Sequence, residues 1–147
     1  MKKVFYMTLI VAVAALALTD CCPCRKTRKS AKPLTGTTWH LIQLEGRDVN
    51  FDAEMFNVTF GEDGKFNGRG ACNSFGGNYK ADTAKETLEI GTVAATRALC
   101  PDIEVEQKLF NELDGATHYE IDGSMLLLLK DGEIRAIFSA AESSSKQ

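Results

Sequence analysis

The stretch "FNVTFGEDGKFNGRGACNSFGGNY", residues 56–79, decides the fold. Its first part, "FNVTF", alternates apolar and polar residues, as a strand with one buried face does. Asp63-Gly64 follows, and this pair favours a tight hairpin turn because the central residues of such turns need positive φ. The run "KFNGRGA" then returns as a second strand. The stretch therefore predicts antiparallel β-structure.

The same pattern extends over the chain from Thr37 onward, where short alternating segments are separated by turn signals. Asp-Gly recurs at residues 122–123 and 131–132 and divides the end of the chain into three strands, "THYEI", "SMLLLLK" and "EIRAIFSA". Two further segments, "TLEI" and "TVAATRA", also have strand composition. These segments predict a meander of antiparallel strands.

One segment, "PDIEVEQKLFNELDG", breaks the β-pattern and predicts an amphipathic helix that ends before Gly115. Asp102 is expected to cap its first amides, and its acidic residues are expected on the outer face. The apolar residues at helical spacing are Val105, Leu109, Phe110 and Leu113. The predicted fold class is mainly β (α+β): a curved antiparallel sheet or lipocalin-like β-barrel of about seven or eight strands with one packed helix.

The N-terminus has the layout of an export signal. In "MKKVFYMTLIVAVAALALTDCC" two lysines precede an apolar run that is short of the about 20 residues a membrane span needs. The expected organisation is a signal peptide over 1–20, a lipid anchor and basic tether over 21–33, one domain over 34–141, and a disordered tail over 142–147. The residues before Cys21 resemble a bacterial lipoprotein signal, which implies lipidation of that cysteine. A metal site in "CCPC" is disfavoured because no His, Asp or Glu lies beside the cysteines.

Charge is divided unevenly along the chain. Residues 34–141 contain 9 Lys and Arg against 18 Asp and Glu, a net charge of −9, whereas the whole chain has a formal charge of −3. An acidic domain repels phosphate backbones, so the sequence predicts no nucleic-acid partner.

The stretches "LTGTTWHLIQLEG", "VTFGEDGKFNGRGACNSFGGNY", "LEIGTVAATRALCP" and "EQKLFNELDGATHYEIDGSMLLLL" together resemble the META domain of HslJ-like envelope proteins. The resemblance covers roughly residues 34–140. Its most specific residues are the Cys72-Asn73 pair with Gly77 and Tyr79 after it, and a second cluster of Thr96, Arg97 and Cys100. It implies a compact antiparallel β fold with lipocalin-like topology, found mostly in exported bacterial proteins, and a loose link to heat shock and antibiotic tolerance. It implies no catalytic residues.

Only two cysteines, Cys72 and Cys100, lie in the folded domain. An exported pair meets oxidising conditions, so a disulfide is the simplest interpretation. Two buried free thiols are an alternative, and so is a catalytic or metal-binding role. In the disulfide interpretation "ACNSFGGNY" is a corner between strands, with Asn73, Gly76 and Gly77 supplying positive φ.

Two functional hypotheses follow. The first is an exported, lipid-anchored and non-catalytic binding or protective module, a monomer that uses no cofactor and whose partner is a protein or a small apolar ligand. We expect Phe, Leu and Met side chains to fill the interior rather than a ligand. The rival is a hydrolase or thiol enzyme with Cys72 as nucleophile and His40 or His118 as base. Both histidines lie in strand patterns, where a sheet position is the commoner role.

Overall fold

The computed structural model describes residues 31–52 and 54–141. The predicted signal peptide, Cys21, most of the tether and the predicted tail at 142–147 lie outside the described residues. Within the described part, the only helix is 12 residues long and does not have the length and hydrophobicity needed to cross a membrane.

The described chain contains ten strands and one helix, and every strand pairing is antiparallel. The strands are β1 Thr38–Leu44, β2 Arg47–Asp48, β3 Asn57–Phe60, β4 Lys65–Arg69, β5 Ser74–Asp82, β6 Thr87–Ile90, β7 Ala94–Ala95, β8 His118–Asp122, β9 Met125–Lys130 and β10 Glu133–Ala140; the helix is α1 Ile103–Asp114.

Eight of the strands form a closed ring in the order β1-β3-β4-β5-β6-β8-β9-β10, with β10 pairing back onto β1. The two-residue strands β2 and β7 add to β1 and β5. The junction of β6 with β8 has one directly opposed pair, Thr87 and His118. The predicted mainly β fold with a curved antiparallel sheet and one packed helix is confirmed.

Three Asp-Gly pairs form turns between strands, as the sequence predicts. Gly64, Gly123 and Gly132 all have positive φ, at 74°, 63° and 80°. After the first turn, the Lys65 amide donates to the Asp63 carboxylate at 3.1 Å. Turn chemistry thus sets the register of the three hairpins.

Aromatic and aliphatic side chains fill the interior of the ring. The largest fully buried ones belong to Trp39, Phe56, Phe60, Phe66, Phe138, Leu41, Leu88, Leu109, Leu113, Leu126 and Leu128. Full burial of one such side chain contributes about 1.5–3 kcal/mol. The expectation that methionine shares this role is wrong: Met55 is half-buried and Met125 is exposed.

Two local predictions for the central stretch are wrong. Gly76 and Gly77 lie inside β5 rather than in a turn, and neither they nor Asn73 have positive φ. A Cβ atom on Gly76 would lie 2.7 Å from the Phe66 carbonyl oxygen, and one on Gly77 would lie 2.8 Å from the Thr92 carbonyl oxygen. These glycines are therefore needed for close backbone approach.

The sequence predicts a strand over "TVAATRA", but only Ala94–Ala95 pairs with β5. The following residues turn away to reach Cys100 and the helix. Hydrogen bonds between the Asn73 side chain and the Ala98 backbone hold this segment in place of a β-ladder.

Helix α1 packs Leu109 and Leu113 into the core, and both are fully buried. The predicted side-chain cap by Asp102 is absent. Instead, the backbone carbonyl of Asp102 accepts hydrogen bonds from the amides of Val105 and Glu106. The apolar stripe therefore fixes the helix, while its start depends on backbone geometry.

Candidate functional site

The residues between β4 and β5, Gly70 to Asn73, form a corner that lies against α1. Cys72 in this corner is joined by a disulfide to Cys100, which precedes the helix, and their Cα atoms are 6.2 Å apart. The structure thus contains the predicted bridge. Because both sulfur atoms are bonded, the described domain holds no free thiol.

Asn73 is buried, and its side-chain amide makes four hydrogen bonds to nitrogen and oxygen partners, besides a weaker one from Nδ2 to Cys72 Sγ at 3.6 Å. Its Nδ2 donates to Glu106 Oε1 at 2.6 Å and to the Ala98 carbonyl at 3.0 Å. Its Oδ1 accepts from Thr96 Oγ1 and from the Ala98 amide, both at 2.7 Å. An asparagine side chain has two N–H donors and two acceptor lone pairs, so every position is used.

Glu106 is also buried, at 1% exposure, and it supplies the helix side of this cluster. Its Oε2 accepts from the backbone amides of Cys72 and Asn73 at 3.1 and 3.0 Å. The residue lies in the first turn of α1, where the helix dipole favours a negative charge. A Cβ atom on Gly70 would lie 2.7 Å from Glu106 Cγ, so the corner can approach the carboxylate because residue 70 is glycine.

Glu106 is not among the site residues that the sequence predicts, and the predicted outer-face position of the acidic residues of α1 is wrong for Glu106 and Glu112. The sequence did contain a signal. Glu106 precedes Leu109, Phe110 and Leu113 by three, four and seven residues, which places it within the apolar stripe. A carboxylate there is buried and needs hydrogen-bond donors from another element.

Glu112 and Arg135 join the C-terminal half of α1 to β10. The Arg135 guanidinium donates through Nε and Nη2 to the two carboxylate oxygens of Glu112, each at 2.9 Å. This hydrogen bonding lowers the pKa of Glu112 despite the opposing effect of burial. Glu45 lies 3.5 Å from the same guanidinium. We call the corner, α1 and this ion pair the helix end of the ring.

A cavity of about 500 Å³ opens at the other end, which we call the cavity end; a second, of about 590 Å³, lies at the helix end beside Asn73 and Phe110. The walls of the first cavity come from residues 33–35, the turn between β3 and β4, and the ends of β5 and β8. Two buried tyrosines, Tyr79 and Tyr119, line it. Tyr79 donates its hydroxyl hydrogen to the Gly61 carbonyl at 2.6 Å. The Tyr119 hydroxyl makes no hydrogen bond to the described residues.

The pKa values of both tyrosines are raised. Burial is the largest cause for each. Nearby carboxylates add to it: Asp63 and Glu62 act on Tyr79, while Glu86 and Asp82 act on Tyr119. The two hydroxyls are therefore neutral over the physiological pH range, in an acidic surrounding.

The structure separates the residues that the sequence had grouped as the family motif. Cys72, Asn73, Thr96 and Cys100 meet at the helix end. Arg97 is exposed beside them and makes no side-chain hydrogen bond or ion pair with the described residues. Gly77 lies in β5 and packs against the Phe66 ring of β4, and Tyr79 lies at the cavity end.

The arrangement required for a cysteine hydrolase is not assembled. Neither His40 nor His118 hydrogen-bonds to Cys72. The His118 ring contacts Thr117 Oγ1 at 3.0 Å, and the buried Nδ1 of His40 has no hydrogen-bond partner in the described part of the chain. Across residues 31–52 and 54–141, no three His, Cys, Asp or Glu side chains are grouped as a metal site would require.

Comparison with known proteins identifies the family. The META domain model matches residues 32–143. The chain belongs to the META domain family. This family is a domain class of uncertain function and is not a known enzyme family. No curated relative matched the chain.

Solved structures share the META-like fold of this chain. A DUF4847 family protein from Bacteroides vulgatus superposes with a TM-score of 0.61 at 21% identity, covering 76% of this chain and 96% of that one. A protein from Burkholderia xenovorans superposes with a TM-score of 0.57 at 24% identity, and the match covers 74% of this chain and 83% of that one. A third structure, solved by NMR, superposes with a TM-score of 0.59 at 20% identity, and the match covers 74% of this chain and 92% of that one. Identities this low support the fold alone.

Proposed function

We propose that this META-domain chain is an exported, lipid-anchored binding module of the bacterial cell envelope and that it performs no catalysis. The observation that carries the proposal is the disulfide between Cys72 and Cys100, which occupies both thiols of the domain. A structural disulfide suits an oxidising compartment outside the cytoplasm. The export pattern in residues 1–20 supports the same location.

The anchor is tested by fractionation of cells that express the wild-type chain or Cys21→Ala. We expect the wild type in the membrane fraction and the variant in the soluble envelope fraction, because the variant lacks the side chain that would carry the lipid. Cys24→Ala is the matched control and should fractionate like the wild type. Unchanged partitioning of Cys21→Ala would overturn lipidation at that residue.

The rival enzyme hypothesis makes a different prediction. If Cys72 were a nucleophile, reduction of the disulfide would produce hydrolysis of activated esters that Cys72→Ala abolishes. The proposed binding role predicts no difference between the two proteins after reduction. Cys72-dependent release of product far beyond one equivalent per chain would contradict it.

The physiological setting follows from the family resemblance, which links the domain loosely to heat shock and antibiotic tolerance. A strain lacking the chain should therefore show reduced survival under envelope stress, restored by the wild type and not by Cys21→Ala. Equal rescue by both chains would show that the role does not need the anchor.

A further inference from the structure

We propose that the cavity at the cavity end binds a small amphiphilic cation, in which an apolar body carries a protonated primary amine. This inference names a ligand class for the proposed binding module and rests on that function. The cavity has a volume of about 500 Å³, which lies within the range of ligand-binding pockets, about 300–1,000 Å³.

The walls of the cavity suit an apolar body. Leu34, Ile121 and Ala81 contribute aliphatic surface, and the two tyrosine rings contribute aromatic surface. The ring interior behind them is filled by the Phe, Trp and Leu core, so the ligand would occupy only this end of the ring. The site is therefore shaped for a short amphiphile rather than for a molecule that threads the ring.

Tyr119 supplies an unpartnered polar group at this site. The residue is only 5% exposed, yet its hydroxyl makes no hydrogen bond to the described residues. Tyr79, by comparison, is satisfied by the Gly61 carbonyl. The Tyr119 hydroxyl is not among the buried atoms that lack a partner, so it is open to solvent and can accept a hydrogen bond from a ligand N–H. The aromatic ring faces also favour a cation.

The charges around the cavity select the sign of the ligand. Glu62 lines it, and none of its described lining residues is a lysine or an arginine. Glu86 and Asp82 act electrostatically on Tyr119, although Lys85 lies 3.9 Å from Asp82 and offsets part of that charge. An anionic head group would be repelled by these carboxylates, while an ammonium group would be attracted.

The position of the chain entry suggests where such a ligand comes from. The Lys32 amide donates to the Gly123 carbonyl at 2.8 Å, which holds the start of the domain beside the cavity. From Cys21 to Pro33 the chain can span at most about 40 Å. With a lipid on Cys21, the cavity end would lie near the bilayer that contains amphiphiles.

The test uses the full chain with Cys21→Ala, so that no attached acyl chain competes for the cavity. Equilibrium dialysis measures binding of decylamine and of decyl sulfate, both below their micelle concentrations. We expect decylamine to bind about tenfold more tightly than decyl sulfate or better. Equal affinities, tighter binding of the sulfate, or no saturable binding of decylamine would overturn the inference.

Three variants locate the bound amine. Ala81→Phe, which fills the exposed end of the cavity, should abolish binding of decylamine. Glu62→Gln should weaken the affinity for decylamine about threefold or more. Glu120→Gln is the matched control because Glu120 is exposed on β8 between two cavity residues, and it should bind like the parent. Unchanged binding by Ala81→Phe would place the ligand elsewhere and overturn the assignment.

Emission from the single tryptophan gives a second readout. Trp39 donates its indole N–H to the Leu34 carbonyl at 3.0 Å, and Leu34 lines the cavity. Decylamine should therefore change Trp39 emission with the same midpoint as dialysis. Because this protein carries no lipid, failure of ligand binding is distinguishable from failure of the anchor, which only fractionation reports.

Discussion

The two ends of the ring differ in how fully their polar groups are used. At the helix end, Asn73 uses all four hydrogen-bonding positions, Glu106 accepts three hydrogen bonds, and both thiols form the disulfide. At the cavity end, Tyr119 lines the cavity and its hydroxyl makes no hydrogen bond to the described residues. Satisfied buried groups stabilise a fold, whereas a polar group that is open beside a cavity can bind a ligand. The most specific motif residues thus serve mainly the architecture.

The largest effect is expected from Asn73→Ala. It removes the hydrogen bonds of the Asn73 side chain and leaves Oε1 of the buried Glu106 without that partner, so the free energy of unfolding should fall by about 4 kcal/mol. Urea denaturation measures this. Asn78→Ala, an exposed change in the strand β5 that follows the corner, is the matched control and should cost under about 0.5 kcal/mol. Similar losses in both variants would mean that the cluster is not a stabilising centre.

Removal of the disulfide should have the next largest effect. The bridged residues are 28 positions apart, and in the chain-entropy model a loop of this length stabilises the fold by about 3.5 kcal/mol. The double variant Cys72→Ser, Cys100→Ser should lower the urea midpoint accordingly, and dithiothreitol should lower the wild-type midpoint to nearly the same value. A midpoint insensitive to reductant in the wild type would contradict the bridge.

The Glu112–Arg135 pair predicts acid sensitivity at the helix end. Hydrogen bonding to Arg135 lowers the pKa of Glu112 in the folded state, so its contribution is present above the ordinary carboxyl pKa. That contribution is lost as pH falls below about 4.5 and through the lowered value. Glu112→Gln should therefore cost about 1.5 kcal/mol at pH 7 and much less at pH 2.5.

Urea midpoints at the two pH values measure this difference. Glu133→Gln is the matched control, since Glu133 is exposed and lies 3.7 Å from the same guanidinium. It should change stability little at either pH. If Glu112→Gln lowered stability equally at both pH values, the link between the Glu112 pKa and the stability of the fold would be excluded.

The smallest changes in the free energy of unfolding are expected for the two tyrosines at the cavity end. Tyr79→Phe removes a hydroxyl that donates to the Gly61 carbonyl and should cost about 1 kcal/mol. Tyr119→Phe removes a hydroxyl without a described partner and should change the free energy of unfolding by less than about 0.5 kcal/mol. Thermal or urea unfolding distinguishes them. If Tyr119→Phe cost as much as Tyr79→Phe, the hydroxyl would have a partner within the protein.

Much of the fold was predictable from local sequence patterns. Asp-Gly turns and alternating residues located β3, β4 and the three closing strands, and helical spacing located α1. These features depend on neighbours in the chain. The short extent of β7 was not predictable, because the residues after it are held by Asn73 from a distant corner.

The candidate site was predictable only in part. The number of cysteines in the domain and the export signal predicted the bridge between Cys72 and Cys100. Nothing in the sequence predicted that Glu106 is the partner of Asn73. Glu106 contacts Asn73 across 33 positions, and only the packed fold brings them together. Likewise, the need for Gly76 and Gly77 comes from atoms on neighbouring strands rather than from their own turn preference. The cavity depends on how far the walls of the ring are apart, which no local pattern encodes.

The central claim is that Cys72 is a structural residue of a satisfied corner and not a nucleophile. Alkylation of the protein without reductant, followed by peptide mass spectrometry, tests it most directly. We predict that neither Cys72 nor Cys100 is modified in the native or the urea-unfolded protein, and that both are modified after reduction. Alkylation of both cysteines without reductant would contradict the account and support a free thiol in the corner.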